Sequence, residues 1–520
     1  MALQKDTLGQ SIFMNSADMV PNDHICHLVA AIIGRMDVSE TEEKFIGGPG
    51  YPAYPRKMLL RLLTMAAVDG IFSSRKVAKL ARENIIYIHL TGNKQPDFRT
   101  ICLFRAENSE LVESTFKQIV LVAEELRILT LGALSTDSTK IKANASRERS
   151  LSKEQIERIR EIIRKGIETD KEEDNLYGDK RGDELPPELD TKEKIYKRIG
   201  EIEKEHGKRL PRTGRKLVAE HALGGKRNVK RALDRAYKAL KNGDQKFMSL
   251  TDTDSRLMPN KKGIIEAAYN SQITVDLDSG IIVSNDVVQE SNDCAQMIPQ
   301  IKNTERVVGR LAKGTKIIDD CGYYTGKALK YLERRGLDGY LPDKKQASAN
   351  KGTKREEKFY PKEMFRYDAG SICFVCPQGR RLKRRWSCTT RGVKRYQYFT
   401  EKCSTCPVRR ECTGKEYRII SGGKHEPQKQ RMRAKMESGS GKSIYKRRMF
   451  VEHAIGDIKQ NFHFREFLTR GLEGVGTEFD LVCSAHNLKL IWDTVGRRVD
   501  RVFPAAALAA SVLPSFLPIF

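Results

Sequence analysis

The stretch NSQITVDLDSGIIVSNDVV, residues 270–288, decides the fold because the periodicity of the sequence changes there. Two runs rich in Ile, Val and Thr flank Asp278-Ser279-Gly280, and this arrangement predicts a β-hairpin. Before this stretch, most of the chain places apolar residues at helical spacing. A hairpin that follows so much helix favours a mixed α/β fold.

Further strands are predicted on both sides of the hairpin. LGALSTDSTKIKA (131–143) is rich in Thr and Ile and lacks helix caps, which predicts a strand. After the hairpin, the sequence predicts a helix over 293–307, a short buried strand in GTKIIDDCGYY (314–324), a helix in GKALKYLERRG (326–336) and a strand in DGYLP (338–342). In a mixed sheet with this order, the first strand and the strand after the hairpin can be neighbours at the centre.

The chain is strongly basic. It has 94 Lys and Arg against 68 Asp and Glu, a net charge of +26 and a pI near 9.5. An excess of this size indicates a polyanionic partner, most often nucleic acid, and a soluble protein with a basic surface is the alternative. The start MALQKDTLGQ lacks a basic segment followed by an apolar run, so no secretory signal is predicted. We therefore expect the eleven cysteines to be thiols in a reducing cytoplasm.

The sequence predicts a helical N-terminal domain, two insertions and an apolar tail around the mixed-sheet core. Short N-terminal helices with many Arg and Lys suit a helix-turn-helix-like DNA-binding module, and a plain helical bundle is the alternative. The first insertion is densely charged and predicts a helical hairpin, with a solvated coil as the alternative. The tail is uncharged from residue 502, but its three prolines disfavour a membrane-spanning helix.

The predicted boundaries are 1–128 for the helical DNA-binding domain, 129–146, 245–342 and 444–497 for the core, 147–244 for the helical insertion, 343–443 for the Cys-rich insertion and 498–520 for the tail.

The stretch YKRRMFVEHAIGDIK, residues 445–459, has the spacing of an amphipathic helix. At about 100° per residue, a polar ridge covers an arc of roughly 60° beside an apolar stripe that suits the core. A solvated helix accounts for the amphipathic pattern but not for the residue types on the ridge. A carboxylate among cations also suits a helix that holds a metal ion and a phosphate. The ridge consists of Tyr445, Arg448, Glu452 and Lys459.

Three carboxylates occupy positions that suit the binding of divalent metal ions. Asp137 lies on the first predicted strand, Asp320 at the end of the strand after the hairpin, and Glu452 on the final helix. Three hard oxygen ligands suit Mg²⁺ or Mn²⁺, and two such ions can activate a water or a 3′-hydroxyl in phosphoryl transfer. Arg448 and Lys459 would then bind the phosphates that flank the scissile one. The competing carboxylates are Asp319, Asp276, Asp286, Asp252 and Asp254.

The polar ridge fits Y-x2-R-x3-E-x6-K in full, which resembles the Y-R-E-K signature of bacterial insertion-sequence DDE transposases. STDSTKIKANAS, AYNSQITVD, DDCGYY and the stretch that begins RRMFVEHAIGDIK resemble the corresponding blocks of that group. The N-terminal YPAYPRKMLLRLL resembles its leading helical domain. The resemblance covers about residues 51–490 and is closest to insertion-sequence family eleven-eighty-two.

This resemblance implies a fold and a set of site residues. The fold is a ribonuclease-H-like α/β core in which Asp137, Asp320 and Glu452 form the metal-binding triad. The resemblance also implies contacts between DNA near the cleaved end and three residues of the ridge. These three residues are Tyr445, Arg448 and Lys459.

Two adjacent acids in DDCGYY compete for the role of the strand-end ligand. Side chains alternate along a strand, so Asp319 and Asp320 point to opposite faces unless the strand has already ended. At the last strand position, an inward-facing Asp320 can meet Asp137 and Glu452. Asp319 would instead cap the helix that begins near Thr325 or pair with a cation. The resemblance also favours Asp320.

The second insertion contains a candidate site for a metal of another kind. CFVCPQG (373–379) and CSTCPVRREC (403–412) supply two C-x2-C pairs separated by 26 residues, a pattern that suits a tetrahedral structural Zn²⁺. The alternative is free cytosolic thiols. The intervening RRLKRR would place basic residues near DNA. The resemblance favours as ligands Cys376, Cys403, Cys406 and Cys412, with Cys373 and Cys388 as substitutes.

Together these features predict a DNA transposase. It would bind the terminal inverted repeats of its own element, cleave a phosphodiester at each end, and join the freed 3′-hydroxyl to target DNA with two Mg²⁺ or Mn²⁺ ions. Pairing of two ends predicts a homodimer on double-stranded DNA, in the bacterial cytoplasm and at the nucleoid, with no membrane partner. One alternative is a non-catalytic DNA-binding protein derived from such an element, and loss of a triad residue would favour it. The other is a metal-dependent nuclease without strand transfer.

Overall fold

The computed structural model describes residues 16–43, 53–161, 163, 192–205, 212–220, 226–243, 245–260, 262–350, 358–390 and 393–498. Its α-helices are α1 (Cys26–Arg35), α2 (Ser39–Glu43), α3 (Arg56–Val68), α4 (Ser74–Glu83), α5 (Ile85–Thr91), α6 (Phe98–Glu107), α7 (Ser109–Glu125), α8 (153–161), α9 (Lys192–Glu205), α10 (Arg212–Glu220), α11 (Lys226–Asn242), α12 (Met297–Val308), α13 (Gly326–Arg335), α14 (Lys344–Asn350), α15 (Arg409–Cys412), α16 (Glu426–Glu437), α17 (Gly439–Lys446), α18 (Met449–Gln460) and α19 (Leu472–Thr494). Its strands are β1 (Ala133–Lys142), β2 (Ser150–Ser152), β3 (Phe247–Ser249), β4 (Arg256–Pro259), β5 (Ile265–Asp276), β6 (Ile282–Val288), β7 (Lys316–Ile318), β8 (Asp338–Tyr340), β9 (Arg366–Asp368), β10 (Cys373–Val375), β11 (Arg381–Thr390), β12 (Val393–Phe399) and β13 (Ile420–Gly422).

A mixed β-sheet forms the centre of the core. β1 pairs antiparallel with β5 and parallel with β7, and β7 pairs parallel with β8. On its other edge, β5 pairs antiparallel with both β4 and β6. The predicted hairpin is therefore β5–β6, and its turn contains Gly280 at a φ of 79°, a conformation that glycine adopts readily. The prediction that the first strand and the strand after the hairpin are neighbours is confirmed, and the mixed sheet is consistent with a ribonuclease-H-like core.

The N-terminal helices and the mixed sheet share one hydrophobic core, in which α19 is the central element. α19 is buried along most of its length and contacts α3 and α7 as well as β6. Asn487 on α19 accepts a hydrogen bond from the backbone of Ile282 and donates one back to it. A buried ion pair of 3.1 Å joins Arg105 on α6 to Glu478 on α19. The N-terminal helices other than α2 therefore contribute to the same core as the sheet.

The first insertion contains more structure than the predicted helical hairpin. Its described residues form α8–α11 around a separate hydrophobic cluster that includes Leu151, Ile159 and Leu233. The two ends of the insertion are joined by the short antiparallel pair β2–β3, in which Ser150 lies opposite Ser249. This strand pair closes the insertion at its base, and the sequence did not predict it because each strand has only three residues.

The Cys-rich insertion contains a second, antiparallel sheet with the order β13-β12-β11-β10-β9. One face of this sheet buries a small apolar cluster that includes Phe365, Phe374 and Tyr398. The segment from α16 then returns the chain to the core, where α16 contacts β8 and α13. The sequence predicted only a Cys-rich insertion here, without a sheet.

The chain over 445–459 forms the ends of two helices, and the prediction of one continuous helix is wrong. α17 ends at Lys446 and α18 begins at Met449. Between them, the N–H of Arg448 donates to the carbonyl of Tyr445 at 3.0 Å, and the N–H of Val451 donates to the carbonyl of Arg448 at 3.1 Å. These bonds span three residues instead of four, which tightens the backbone at this point.

The apolar tail was predicted from residue 498, and residues 499–520 lie outside the described part of the chain. Among the helices that the structure does describe, none has both the length and the apolar character needed to cross a membrane.

Candidate active site

The adjacent parallel strands β1 and β7 bring the first two predicted carboxylates to the same end of the sheet. Ala133 pairs with Lys316, and β1 continues past the end of β7. The hydroxyl of Ser135 donates to the carbonyl of Ile318 at 2.5 Å, which extends the contact between the strands. Asp137 therefore lies beside the turn that follows β7, where the acidic doublet begins.

Arg448, at the start of α18, bridges two of the three predicted carboxylates. Its Nη2 donates to Asp137 Oδ2 at 2.8 Å, and its Nη1 donates to Glu452 Oε1 at 3.2 Å. The side chain of Glu452 is 62% exposed, whereas those of Asp137 and Arg448 are each 17% exposed. The second oxygen of Asp137 accepts from the N–H of Ser138 at 2.8 Å. Arg448 thus contacts one acid that is mostly buried and one acid that faces solvent.

The charged side chains around Arg448 shift one another's pKa values. Burial raises the pKa of Asp137 to about 6, while Arg448 and the Ser138 N–H act to lower it. The charges of Asp320 and Glu452 raise the pKa of Asp137 further. Burial is the largest single effect on Arg448 and acts to lower its pKa, but the charges around it, of which that of Asp137 is the largest, together raise the pKa. The three predicted carboxylates therefore share one electrostatic environment around Arg448.

The two acids of the doublet lie in different surroundings. Asp319 is fully buried, and its Oδ1 accepts from the N–H of Thr136 on β1 at 2.7 Å. Burial raises the pKa of Asp319 to about 8. Asp320 is partly exposed, and its Oδ1 accepts from the N–H of Gly322 at 2.7 Å. The expected helix cap by Asp319 is wrong, because the N-cap of α13 is Thr325 and Asp319 instead links β7 to β1.

Tyr445, near the end of α17, and Lys459, near the end of α18, contact different parts of the sheet. Tyr445 packs beside Ile318 at the end of β7, and burial raises its pKa to about 12. Lys459, in the last turn of α18, donates to the carbonyl of Lys140 on β1 at 3.1 Å. Lys459 thus fastens α18 to the central strand, and the structure does not bring it to Arg448.

A second contact that fixes α18 was not predicted from the sequence. His486 Nδ1 on α19 and Asp457 Oδ2 on α18 lie 2.6 Å apart, and His486 Nε2 lies 3.2 Å from the carbonyl of Gly280. This histidine joins the helix that carries Glu452 to the turn of the β5–β6 hairpin. A lone His on a buried helix gives no sequence pattern that would indicate these partners.

Asp293, in the loop before α12, was also not predicted from the sequence. Its Oδ1 accepts from the amide of Asn270 at 2.8 Å and from the amide of Gln272 at 2.7 Å. Tyr323, just after the acidic doublet, donates its hydroxyl to Gln272 Oε1 at 2.6 Å. Asn270 and Gln272 alternate on a buried strand, so their side chains lie on the same face of the sheet. Two buried amides on one face are the only sequence signal that could have indicated a polar partner such as Asp293.

Four of the cysteines in the second insertion line one small cavity. Burial raises the pKa of the Cys412 thiol, Arg418 acts to lower it, and three neighbouring thiols raise it further. Cys373 lines a different depression, and Cys388 is exposed on β11. Across the described residues, no group of three or more His, Cys, Asp or Glu side chains is arranged to hold a metal ion, so this geometry does not support zinc. The cavity is lined by Cys376, Cys403, Cys406 and Cys412.

Comparisons with protein families give two matches. Residues 375–492 match the family described as Transposase DDE domain, and residues 14–107 match the family described as Transposase domain (DUF772). Searches of curated proteins and of solved structures found no match. The first match contains Arg448 and Glu452, whereas Asp137 and Asp320 lie outside both matches.

The fold and the family matches agree on the class of protein. The mixed sheet is consistent with a ribonuclease-H-like DDE domain. The two matches support a DDE-type transposase, a DNA-processing class of enzyme that depends on divalent metal ions.

Proposed function

We propose that this chain is a DNA transposase that binds the terminal inverted repeats of its insertion sequence, cleaves the element ends and joins the 3′-hydroxyl ends to target DNA. The observation that carries the proposal is the arrangement of Asp137, Asp320 and Glu452 around Arg448, at the end of β1 and β7. The carboxylates come from three distant parts of the chain. Their convergence beside a cation supports a reaction site at this position, in a chain that matches two transposase families.

The chemistry of these side chains fits divalent cations. Carboxylate oxygens are the ligands that Mg²⁺ and Mn²⁺ prefer, and Asp137 and Glu452 already face a common positive charge, that of Arg448. Two such ions, when bound, would activate a water or 3′-hydroxyl and stabilise the leaving oxygen. Asp137, Asp320 and Glu452 would hold them after moving closer together, since no three acidic, His or Cys side chains of the described residues stand at ligating positions.

The positively charged side chains of the site would bind phosphates of the DNA. The planar guanidinium of Arg448 suits two oxygens of one phosphate, and transfer to a phosphate would free Asp137 and Glu452 for metal ions. Tyr445, which packs beside β7, would border the same phosphate. Lys459 would act from the far end of α18, where it also keeps this helix on β1.

The β11–β12 hairpin is the proposed contact surface for flanking DNA. Residues 369–400 contain eight Lys or Arg and no Asp or Glu. Along β11, the residues from Lys383 to Thr389 are exposed, and the indole of Trp386 is 56% exposed. The guanidinium of Arg384 lies 4.6 Å from the centre of the Tyr396 ring, which keeps this cation on the surface of the hairpin. A surface with this charge suits a phosphate backbone.

The N-terminal helical domain would contact the inverted repeats.

The cysteine-lined cavity is the proposed position of a structural Zn²⁺. Four thiols from the two C-x2-C segments surround it, and thiolates are preferred zinc ligands. Binding would require the thiols to move closer to one another, since they are not at ligating positions.

Pairing of two element ends would require two copies of the chain on DNA.

One experiment separates this proposal from its two rivals. Purified protein is incubated with Mg²⁺, a target plasmid and labelled DNA that carries the repeats flanking the gene. Joined product supports the transposase, cutting without joining supports a nuclease, and binding without cutting supports a non-catalytic DNA-binding protein.

A further inference from the structure

A buried polar network holds a fourth carboxylate next to the candidate active site. Asn270 and Gln272 are both fully buried on β5, and their amides converge on Oδ1 of Asp293. The hydroxyl of Tyr323 donates to Gln272 Oε1, so this oxygen is engaged and the amide nitrogen of Gln272 must face Asp293. The orientation of the Asp293 carboxylate is thus determined by three buried side chains.

The second oxygen of Asp293 faces the turn that carries Asp320. A Cβ atom placed on Gly322 would lie 2.8 Å from Asp320 Oδ1 and 3.7 Å from Asp293 Oδ2. The two carboxylates therefore approach the same glycine. Burial lowers the pKa of Lys140 on β1, and the charges of Asp293 and Asp137 both act to raise it. The field of Asp293 thus extends to the strand that carries Asp137.

We propose that Asp293 is a positioning residue of the active site, which fixes the Asp320–Gly322 turn and adds negative charge that strengthens divalent-cation binding by Asp320 and Asp137. This inference rests on the proposed function, because it assigns Asp293 to the same metal-dependent site. Asn270 and Gln272 are its support, since two amide donors on one oxygen keep the carboxylate in place.

The test uses Asp293→Asn and a matched control, Asp286→Asn. Asparagine retains an oxygen for the two amide donors, so the substitution removes the charge and keeps the shape. Asp286 on β6 also accepts from two side-chain amides, those of Gln300 and Asn303, each at 3.2 Å. It lies on a strand that pairs with β5 and is therefore further from β1.

Binding of Mn²⁺ alone is measured by titration calorimetry, and the Mg²⁺ dependence of repeat-end cleavage is measured in parallel. We expect Asp293→Asn to weaken Mn²⁺ binding by about tenfold, as removal of one nearby charge predicts, and Asp286→Asn to leave it unchanged. The Mg²⁺ concentration for half-maximal cleavage should rise by a similar factor. Equal Mn²⁺ affinity in Asp293→Asn and the wild type would overturn the inference, as would the absence of Mn²⁺ binding by both.

The two readouts distinguish failure of the inference from failure of the proposed function. Weaker Mn²⁺ binding by Asp293→Asn in a protein that cuts no DNA supports the role of Asp293 and contradicts the transposase. If Asp293→Asn does not fold, Tyr323→Phe decides, because it removes only the hydroxyl that orients Gln272. Weaker Mn²⁺ binding by Tyr323→Phe supports the inference, and unchanged binding overturns it.

Discussion

Arg448 donates a 2.8 Å hydrogen bond to Asp137, a residue 311 positions earlier in the chain. The same guanidinium also contacts Glu452, so one cation serves an acid from the central strand and an acid from the last part of the core. This contact is possible only because β1 runs past the end of β7 and α18 crosses that end. It shows how residues from distant segments come to share one site.

The pKa of Asp137 leads to a prediction of pH dependence. Because burial raises this pKa to about 6, the carboxylate is ionised above that pH and protonated below it. Only the ionised form can bind a cation, so Mn²⁺ affinity should fall as the pH is lowered through about 6. Arg448 acts to lower the pKa of Asp137, and Arg448→Leu should therefore move the midpoint of this fall to higher pH. Calorimetric titrations between about pH 5 and 8 measure both effects. A midpoint that stays in place in Arg448→Leu would contradict the assigned cause.

The acidic doublet gives a prediction that distinguishes its two members. Asp320→Asn should abolish Mg²⁺-dependent cleavage, because it removes one of the three proposed metal ligands. Asp319→Asn should leave most of the cleavage, because its side-chain oxygen can still accept from the N–H of Thr136, and the raised pKa of Asp319 keeps the native side chain largely neutral at pH 7. Cleavage rates of the two variants at equal folded fraction provide the comparison. The reverse order of activities would identify Asp319 as the ligand.

The β11–β12 hairpin predicts a change in the salt dependence of DNA binding. Replacement of Arg384 and Arg385 by Ala should weaken binding to all DNA sequences and lower the slope of log affinity against log salt by about two. The control replaces Arg310 and Lys313, two exposed cations that precede β7 and lie at the end of the sheet opposite the candidate site. An equal change in slope for both pairs would show that the hairpin has no special role.

The cysteine-lined cavity leads to a prediction of the zinc content of the protein. Freshly purified protein that has not met a chelator should contain about one zinc per chain. Replacement of both Cys403 and Cys406 by Ser should release this zinc and loosen the sheet β9–β13. Cys388→Ser is the matched control, because this thiol is exposed on β11 outside the cavity, and it should retain the metal. Elemental analysis that finds no zinc in the wild type would show that these are ordinary thiols.

Local patterns allowed the central part of the fold to be predicted. The hairpin at residues 270–288, the strand that carries Asp137 and the strand before the doublet each have a distinct apolar pattern and clear turn residues. Their order in the chain also predicted that β1 and β7 are neighbours. These features depend on residues that are close in sequence, which is why sequence reasoning could identify them.

Other features depend on contacts that no local pattern contains. The strands β9–β13 were not predicted because a dense run of cations in β11 hides the alternation of apolar and polar residues. The break between α17 and α18 depends on only three backbone positions. Asp293 lies in a loop, and its partners Asn270 and Gln272 come from a strand 20 or more residues earlier. The bridge made by Arg448 likewise exists only once the sheet and α18 have packed together.

The cleavage assay of Glu452→Gln tests the central claim most directly. The substitution removes the charge of Glu452 and keeps its shape, so the protein should still bind repeat ends while Mg²⁺-dependent cleavage falls by orders of magnitude. Glu416→Gln, at an exposed position in the second insertion, should cleave like the wild type. If Glu452→Gln cleaves repeat ends at a rate near that of the wild type, then Asp137, Asp320 and Glu452 do not form the catalytic site.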